Sequence, residues 1–441
     1  MRPNNQDQFS NKRTFHYFRQ VKLSLLFKIV AIGATFLTVP ITINWLGQES
    51  YGVWSTILSI VSWIVFFDFG IGNGLKTQLA KAVALNDFGE AKEVISSAYT
   101  YIGLVTLFLL VISVIIFYTL PWTKVLNSSN FINGNLQLIV LVTSIFVIVN
   151  FWLGLINSIL YAINKGSAVV FGQLINATLS FLVVCYLSNL GYVSLFYLAI
   201  GYGFSLIIPS LLISFWFFRT YRHLIPSFSL HSIENKRQLL LGFQFFVLQL
   251  AVIVIFTTDK IIISHLFGPA MVAQYDVVFK YFTLLTLGYS LISAPLSSAY
   301  AEAFHRYDFP WIRYMLRQQI NIFFGFSIIV FLMILAAKKL IQFWISPMMH
   351  VSNDLVIAMG FYILISIWVN IFATFVNSIG KLKLQLYCLV VAMFINIPLA
   401  WLLVKHFGFG LEGVVYASTL SLLLFSIVGP MQSFYLAKKI T

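Results

Sequence analysis

Asn157-Ser158-Ile159 and Asn377-Ser378-Ile379 are one tripeptide written twice, 220 residues apart in a chain of 441, and each closes a long apolar stretch. Other landmarks return in the same order at nearly the same offset. Asp87-Phe88 returns as Asp308-Phe309, and Gly191 with Tyr197 returns as Gly410 with Tyr416. The turn from Leu46-Gly47 to Tyr51 has a looser echo in Leu266 to Tyr275. A spanning helix needs roughly 20 apolar residues, and by that measure about twelve such stretches lie between Leu25 and Leu436. Each half then carries six spans, an even number, so both copies cross in the same sense. A parallel repeat of this kind is the plan of transporters whose halves rock about a central site. The expected fold is an all-α integral membrane protein with about twelve transmembrane helices, in two parallel-repeat six-helix lobes around a central cavity.

Composition narrows the class further. The chain is 60% hydrophobic and 9% charged, against about 25% charged in soluble domains, so no aqueous core is needed to explain the apolar residues. Cys185 and Cys388 fall inside apolar spans and read as small packing residues, not as a disulfide or a metal pair. The N-terminal tail is polar and basic, and the apolar run after it lacks a small-residue cleavage site, which reads as a retained span. The expected organisation is a cytoplasmic tail over 1–23, an N-lobe over 24–217, an inter-lobe linker over 218–238, a C-lobe over 239–436 and a second cytoplasmic tail over 437–441.

The net charge of +14 is a topology signal. With the N-terminus inside, 20 of the 27 Lys and Arg residues fall in the tails and inner loops, and only Lys124, Lys338, Lys339 and Lys405 fall outside. The positive-inside rule reads that bias as two cytoplasmic termini, and no nucleic-acid partner is expected. The remaining three, Lys28, Lys260 and Lys280, lie within spans. Leu79, Val83, Phe88, Val94 and Ile95 are spaced to form one side of an interfacial helix. Trp45, Tyr51, Trp54, Trp122, Trp344 and Trp401 stand near span ends, where an aromatic belt is expected. Pro40, Pro209, Pro295, Pro398 and Pro430 fall within spans, each deleting one backbone hydrogen bond. Neighbouring helices satisfy the freed carbonyls, or some of these sites are hinges.

The most specific local signature runs from Tyr51-Gly52-Val53-Trp54 to Asp68-Phe69-Gly70-Ile71-Gly72-Asn73-Gly74-Leu75-Lys76. Glycine permits close helix approach and a tight exit from the membrane. No strand precedes these glycines, and their spacing fits neither phosphate-binding fingerprint. With Thr258-Asp259-Lys260-Ile261-Ile262-Ile263, Gly268 and Gln274-Tyr275, this signature resembles the oligosaccharide-lipid flippases, the O-antigen and polysaccharide-unit exporters. These are a branch of the multidrug/oligosaccharidyl-lipid/polysaccharide exporter superfamily. The resemblance implies a V-shaped pair of lobes whose cavity opens alternately to either side of the bacterial inner membrane. The cargo it implies is an undecaprenyl-diphosphate-linked oligosaccharide, with membrane lipid and the polysaccharide polymerase machinery as further partners. An anionic head group of that kind needs basic residues facing a wet cavity, and charges inside a span by default mark a pathway.

The ionisable residues inside spans are therefore the candidate site. Lys28, about one turn inside span one, either snorkels to the interface or faces the cavity and attracts diphosphate. Lys260 and Lys280 are the other candidate substrate-binding cations. Asp259 and Lys260 are adjacent, about 100° apart on a helix, so they cannot share a face and one must find a partner elsewhere. Asp276 and Lys280 are four apart in the favourable acid-before-base order, forming either a local pair at the rim or part of a cluster with Asp259 and Lys260. Asp68 either organises the glycine-rich exit or serves ion coupling. His265 reads as a solvated interfacial residue. No paired carboxylates, metal-spaced histidines or nucleophile elbow occur, so neither an enzymatic activity nor a metal or organic cofactor is expected. With no nucleotide-binding sequence, transport must draw on an ion or voltage gradient or on the substrate's own. The coupling cation, if one is used, is H+ or Na+, with Asp259 the first candidate carboxylate, ahead of Asp68 and Asp276. The alternative function is a cation-coupled small-molecule or multidrug exporter of the same superfamily, which three lysines within spans disfavour. A polymerase would need a large outer loop that this chain lacks.

Cysteines introduced at Ser128 and Ser352 are expected to label with an impermeant reagent in intact spheroplasts, and one at Ser232 is not. Labelling at Ser232 alone would reverse the assigned orientation.

Overall fold

The structure, a computed structural model, describes residues 5–68, 70–128, 136–229 and 236–438. Residues 230–235 of the expected linker, Ser232 included, lie outside the described residues, as do 1–4 and 439–441 of the tails and Phe69 of the glycine-rich signature. Among the described residues there is no strand. In chain order the helices are α1 (Asn5–Val61), α2 (Ile71–Ala84), α3 (Phe88–Thr119), α4 (Trp122–Val125), α5 (Leu136–Leu153), α6 (Leu155–Ala162) and α7 (Gly166–Asn189). They continue as α8 (Leu195–Thr220), α9 (Lys236–Phe267), α10 (Pro269–His305), α11 (Phe309–Trp344), α12 (Asn353–Ser378), α13 (Lys383–Lys405) and α14 (Leu411–Leu436). Ten segments among the described residues are long and apolar enough to cross a membrane. The first of these, Leu23–Ile64, is bent, because Gly47 at φ 82° breaks α1 into two arms. All five span prolines sit inside continuous helices.

The helices form two compact units. The first comprises Met1–Leu46, Val61–Trp122 and Phe131–Phe243. The second comprises Gly47–Ile60, Thr123–Asn130 and Gln244–Thr441. Two pieces of the N-terminal half therefore pack with the C-terminal half, and the second arm of α1, after Gly47, is one of them.

In the first unit, Leu79 and Ala82 of α2 bury against Ile95 and Ile102 of α3, Ile156, Ile159 and Leu160 of α6, and Phe217 of α8. Lipid tails are as apolar as these side chains, so packing contacts rather than a hydrophobic driving force hold such helices together. The expected interfacial helix is two helices. Asn86 at φ 57° ends α2, and the Asp87 side chain accepts from Glu90 N at 2.9 Å to start α3. The chain turns back there, which buries Leu79 and Ile95 and leaves Phe88 exposed. In the second unit α14 is deeply enclosed, and its buried face carries Gly413, Ala417, Ser418, Ser421, Gly429 and Ser433. Small residues let neighbouring helices approach closely in a membrane. Trp368 of α12 uses that approach, donating its indole N–H to the Ser426 carbonyl at 2.8 Å.

Corresponding turns recur in the two copies. Gly47 (φ 82°, ψ 164°) and Gly268 (φ 91°, ψ 165°) share one backbone conformation. Asn86–Asp87 and Tyr307–Asp308 form the same left-handed exit and side-chain cap, with Asp308 accepting from Trp311 N at 3.1 Å. The Asn-Ser-Ile tripeptides are out of register by comparison. Left-handed Asn164 and Gly380 close the two helices in question, and Asn157 lies one turn further from its exit than Asn377 does. Span two, read from the sequence over 53–74, also differs from its counterpart, span eight, over 275–298. It breaks into a 3₁₀ stretch, Ser62–Asp68, and left-handed Gly70, whereas α10 runs unbroken from Pro269 to His305. Tyr51, Trp54 and Trp122, expected at an aromatic belt, are buried.

Ser128 is also buried, so Thr123, which is exposed, is the better position for an outer-loop cysteine. A Cβ at Gly52 would run into the Pro269 carbonyl, whereas one at Gly33 would meet nothing within 4 Å. Backbone cannot step aside as a side chain can, so Gly52→Ala is expected to cost about 1–3 kcal/mol or more. Gly33→Ala should be neutral or stabilise by up to about 1 kcal/mol. Melting temperatures of the two variants in detergent check the contrast, and equal values would count against the packing of Gly52 on Pro269.

Candidate functional site

Gly268 sends α10 back along α9, and the hairpin sets two consecutive pairs of residues opposite each other. Lys260 Nζ meets Asp276 Oδ1 at 2.5 Å. Tyr275 donates its hydroxyl to Asp259 Oδ2 at 2.9 Å. The second arm of α1 lies against the start of α10 because Gly52 has no side chain to hold it off Pro269. That approach brings Tyr51 and Ser55 to the same place. Tyr51 donates to Asp276 Oδ2 at 2.5 Å and accepts from Lys280 Nζ at 2.7 Å, and Lys260 Nζ donates to Ser55 Oγ at 2.9 Å. Lys280 also bonds Asp276 Oδ2 directly, at 2.8 Å.

Asp276 is thus a fully buried carboxylate between two ammonium groups and a phenol. Its lysines reach open space, with side chains 16% (Lys260) and 32% (Lys280) exposed. One carboxylate against two lysines leaves a net surplus of one positive charge. Breaking a buried pair by removing one partner typically costs about 3–5 kcal/mol, because the other charge is left stranded.

Asp259 stands apart in a neutral setting. It is buried, and Ser418 of α14 donates to its Oδ1 at 2.8 Å. Ser418 in turn accepts from Asn396 Nδ2 of α13 at 3.0 Å. Thr258 donates back to the Val254 carbonyl, with its hydroxyl 3.4 Å from Asn396 Oδ1. Among the described residues no ion pair reaches Asp259. The two adjacent charges therefore do diverge, Lys260 joining Asp276 and Lys280 while Asp259 joins the hydroxyls.

Of the other candidates, Asp68 and Lys28 belong to the first unit and His265 to the second. Asp68 accepts from Gly72 N at 2.8 Å and so holds the first turn of α2. A Cβ at Gly72 would lie 3.0 Å from Ser158 Oγ and 3.1 Å from Asp68 Oδ2, so the glycine keeps that turn close. Lys28 is half-buried on the first arm of α1. His265 is exposed at the end of α9, where its backbone carbonyl accepts from Asn127 Nδ2 at 3.3 Å. Ser55, Asn396 and Ser418 complete the two clusters without having stood out in the sequence. Single hydroxyl and amide groups in apolar helices follow no period that marks them.

Residues 18–300 match the family described as polysaccharide biosynthesis protein, and residues 245–402 match the MatE family. The chain belongs to the polysaccharide biosynthesis protein family. It is similar to a proposed O-antigen export protein of Yersinia pseudotuberculosis, 26% identical over 374 residues, 81% of this chain and 82% of that one. A proposed O-antigen transporter of Salmonella typhimurium is 26% identical over 371 residues, 82% and 83% of the two chains. One from Salmonella typhi is 24% identical over 428 residues, 95% and 96% of the two. In fold, the chain is similar to an inward-facing multidrug resistance MATE family transporter of the MOP superfamily, with TM-score 0.72, 15% identity and coverage of 96% and 100%. A MOP superfamily transporter of Pyrococcus furiosus, noted for the reverse polarity of its binding pocket, gives TM-score 0.61, 17% identity and coverage of 95% and 97%. This member of the polysaccharide biosynthesis family is a membrane transporter, not an enzyme.

Within this family member, Asp276→Ala is expected to lower stability by about 3–5 kcal/mol, since it strands two lysines. Removing both charges of the closer pair, as Asp276→Asn with Lys260→Gln, should recover part of that loss. Thermal melts of the single and combined variants check it. A combined variant no more stable than Asp276→Ala would mean the pair does not act as a pair.

Proposed function

We propose that this chain translocates undecaprenyl-diphosphate-linked oligosaccharide units, of O-antigen or another surface polysaccharide, from the inner to the outer leaflet of the bacterial cytoplasmic membrane by alternating access. The observation that carries this reading is the match to proposed O-antigen exporters over four-fifths or more of both chains. The surplus positive charge of the Lys260–Asp276–Lys280 cluster is consistent with an anionic head group. Sugar and diphosphate cannot cross hydrocarbon unaided, whereas the polyprenyl tail stays in lipid. The moving lobes in this proposal are 24–217 and 239–436, joined by 218–238, with both termini cytoplasmic. The units delivered would pass to the polysaccharide polymerase machinery.

A second reading concerns energy. Asp259 is a buried carboxylate held by neutral donors, with no ion pair among the described residues, and the chain shares the fold of a MATE transporter. Binding and release of H+ or Na+ at Asp259 would suit a cation-coupled cycle, either for the flippase or for a small-molecule exporter.

A strain lacking the protein is expected to accumulate lipid-linked oligosaccharide on the inner leaflet, read by profiling lipid-linked intermediates. The Lys28→Gln, Lys260→Gln, Lys280→Gln triple variant should fail to correct it, each lysine contributing on the order of 1.5–3 kcal/mol to phosphate recognition. Full correction by the triple variant would refute the cationic site. In reconstituted vesicles, Asp259→Asn should abolish the response to an imposed proton or sodium gradient. A parental response would make Asp259 structural.

A further inference from the structure

The charges of the Asp276 cluster do not balance, and its two lysines are not equivalent. Lys260 is the more enclosed and has a second partner in Ser55 Oγ at 2.9 Å. Lys280 is twice as exposed and shares Asp276 Oδ2 with Tyr51. The Tyr51 hydroxyl accepts from Lys280 at 2.7 Å, and the ammonium lies 5.3 Å from the centre of its ring. If Lys280 withdraws, Asp276 keeps a cation on Oδ1 and a hydroxyl donor on Oδ2. If Lys260 withdraws, it exchanges an enclosed carboxylate and a serine for whatever the opening offers. Stranding a buried charge is the costly step, so Lys280 is the lysine that can leave.

We propose that Lys280 is an exchangeable cation, held by Asp276 and Tyr51 in the absence of substrate and taken over by a substrate phosphate on binding. This inference rests on the reading of a diphosphate-linked substrate. Ammonium groups bond carboxylate and phosphate oxygens at similar distances, so the exchange replaces one charge-assisted hydrogen bond with another and never leaves the ammonium bare. A compact charge on a flexible four-carbon stem suits such a swing better than a planar guanidinium. Asp276 then serves as a resident anion that competes with the substrate for the same cation. Tyr51 is a positioning residue, because its hydroxyl holds Asp276 Oδ2 when Lys280 passes to the phosphate.

The roles of the two residues are separated by single and combined variants. Pyrophosphate serves as the probe, and its binding to purified full-length protein is measured by calorimetry. Lys280→Gln is expected to bind about tenfold more weakly or worse, the worth of one charge-assisted hydrogen bond. Tyr51→Phe keeps the ring but removes the hydroxyl that stays on Asp276 Oδ2 once Lys280 has left, so it should bind about three- to tenfold more weakly. In the Lys280→Gln background, where no lysine has to leave, Tyr51→Phe should change binding little, whereas a merely structural tyrosine would weaken both backgrounds alike. Parental affinity in Lys280→Gln, or an equal loss from Tyr51→Phe in both backgrounds, overturns the proposal. In case either variant misfolds, the parent protein gives an independent reading. After reductive methylation with a carbon-13 label, pyrophosphate should move the Lys280 signal more than the Lys260 signal, and the reverse order overturns the proposal. Should the parent bind no pyrophosphate while the deletion strain still accumulates lipid-linked units, the exchange fails and the transport reading stands. Should pyrophosphate bind through Lys280 in a protein whose loss causes no accumulation, the exchange stands and the transport reading fails.

Discussion

A carboxylate buried among apolar helices survives only if its charge is met on the spot, and Asp276 is met three times over, by Lys260, Lys280 and Tyr51. Much of the second unit follows from that requirement. Lys260 reaches Asp276 because Gly268 turns the chain tightly enough to bring α9 and α10 side by side. Tyr51 reaches it because Gly52 lets the second arm of α1 press onto the start of α10. Neither glycine touches the carboxylate, yet each is a condition of its being there. Desolvation sets the scale: the penalty for each buried ion is several kcal/mol, and it is offset only with good geometry and additional hydrogen bonds.

Next to this charged cluster the same hairpin builds a neutral one. Asp259 and Lys260 are neighbours in sequence, and the helix throws them about 100° apart. One enters an ion-paired environment and the other a nest of hydroxyls and an amide from α10, α13 and α14. Two carboxylates seventeen residues apart along one hairpin, Asp259 and Asp276, thereby acquire different chemistry from their surroundings alone. Acid and cation functions can coexist on one pair of helices without neutralising each other.

The sequence made some of this legible. Adjacent Asp259 and Lys260 imply divergence by helix geometry alone, and Asp276 with Lys280 implies an i,i+4 pair. That Lys260 would join that pair was one of two open readings, because the choice depends on where α9 turns, which periodicity does not encode. Asn396 and Ser418 left no trace, since an isolated polar group in an apolar helix looks the same whether or not a carboxylate lies beside it. The repeat was legible from order and offset, although the tripeptide that pointed to it sits one turn out of register. Backbone conformation marks the correspondence better than identity does. Asp87 and Asp308 are the same cap, and Gly47 and Gly268 the same turn. The interfacial helix failed as a reading because left-handed Asn86 breaks a pattern that continuous hydrophobic spacing would carry through.

The two copies have also come to differ as mechanical parts. Span eight is one continuous helix, α10, and from Pro269 up to Pro295, which deletes one backbone hydrogen bond, its regular ladder resists bending, so a twist entering that length is carried along it. Its counterpart gives way at Ser62–Asp68, where tighter winding and left-handed Gly70 replace the regular ladder. Strain entering that segment is absorbed locally as rotation about a few backbone bonds. Of the two corresponding spans, one is built as a rod and the other as a joint.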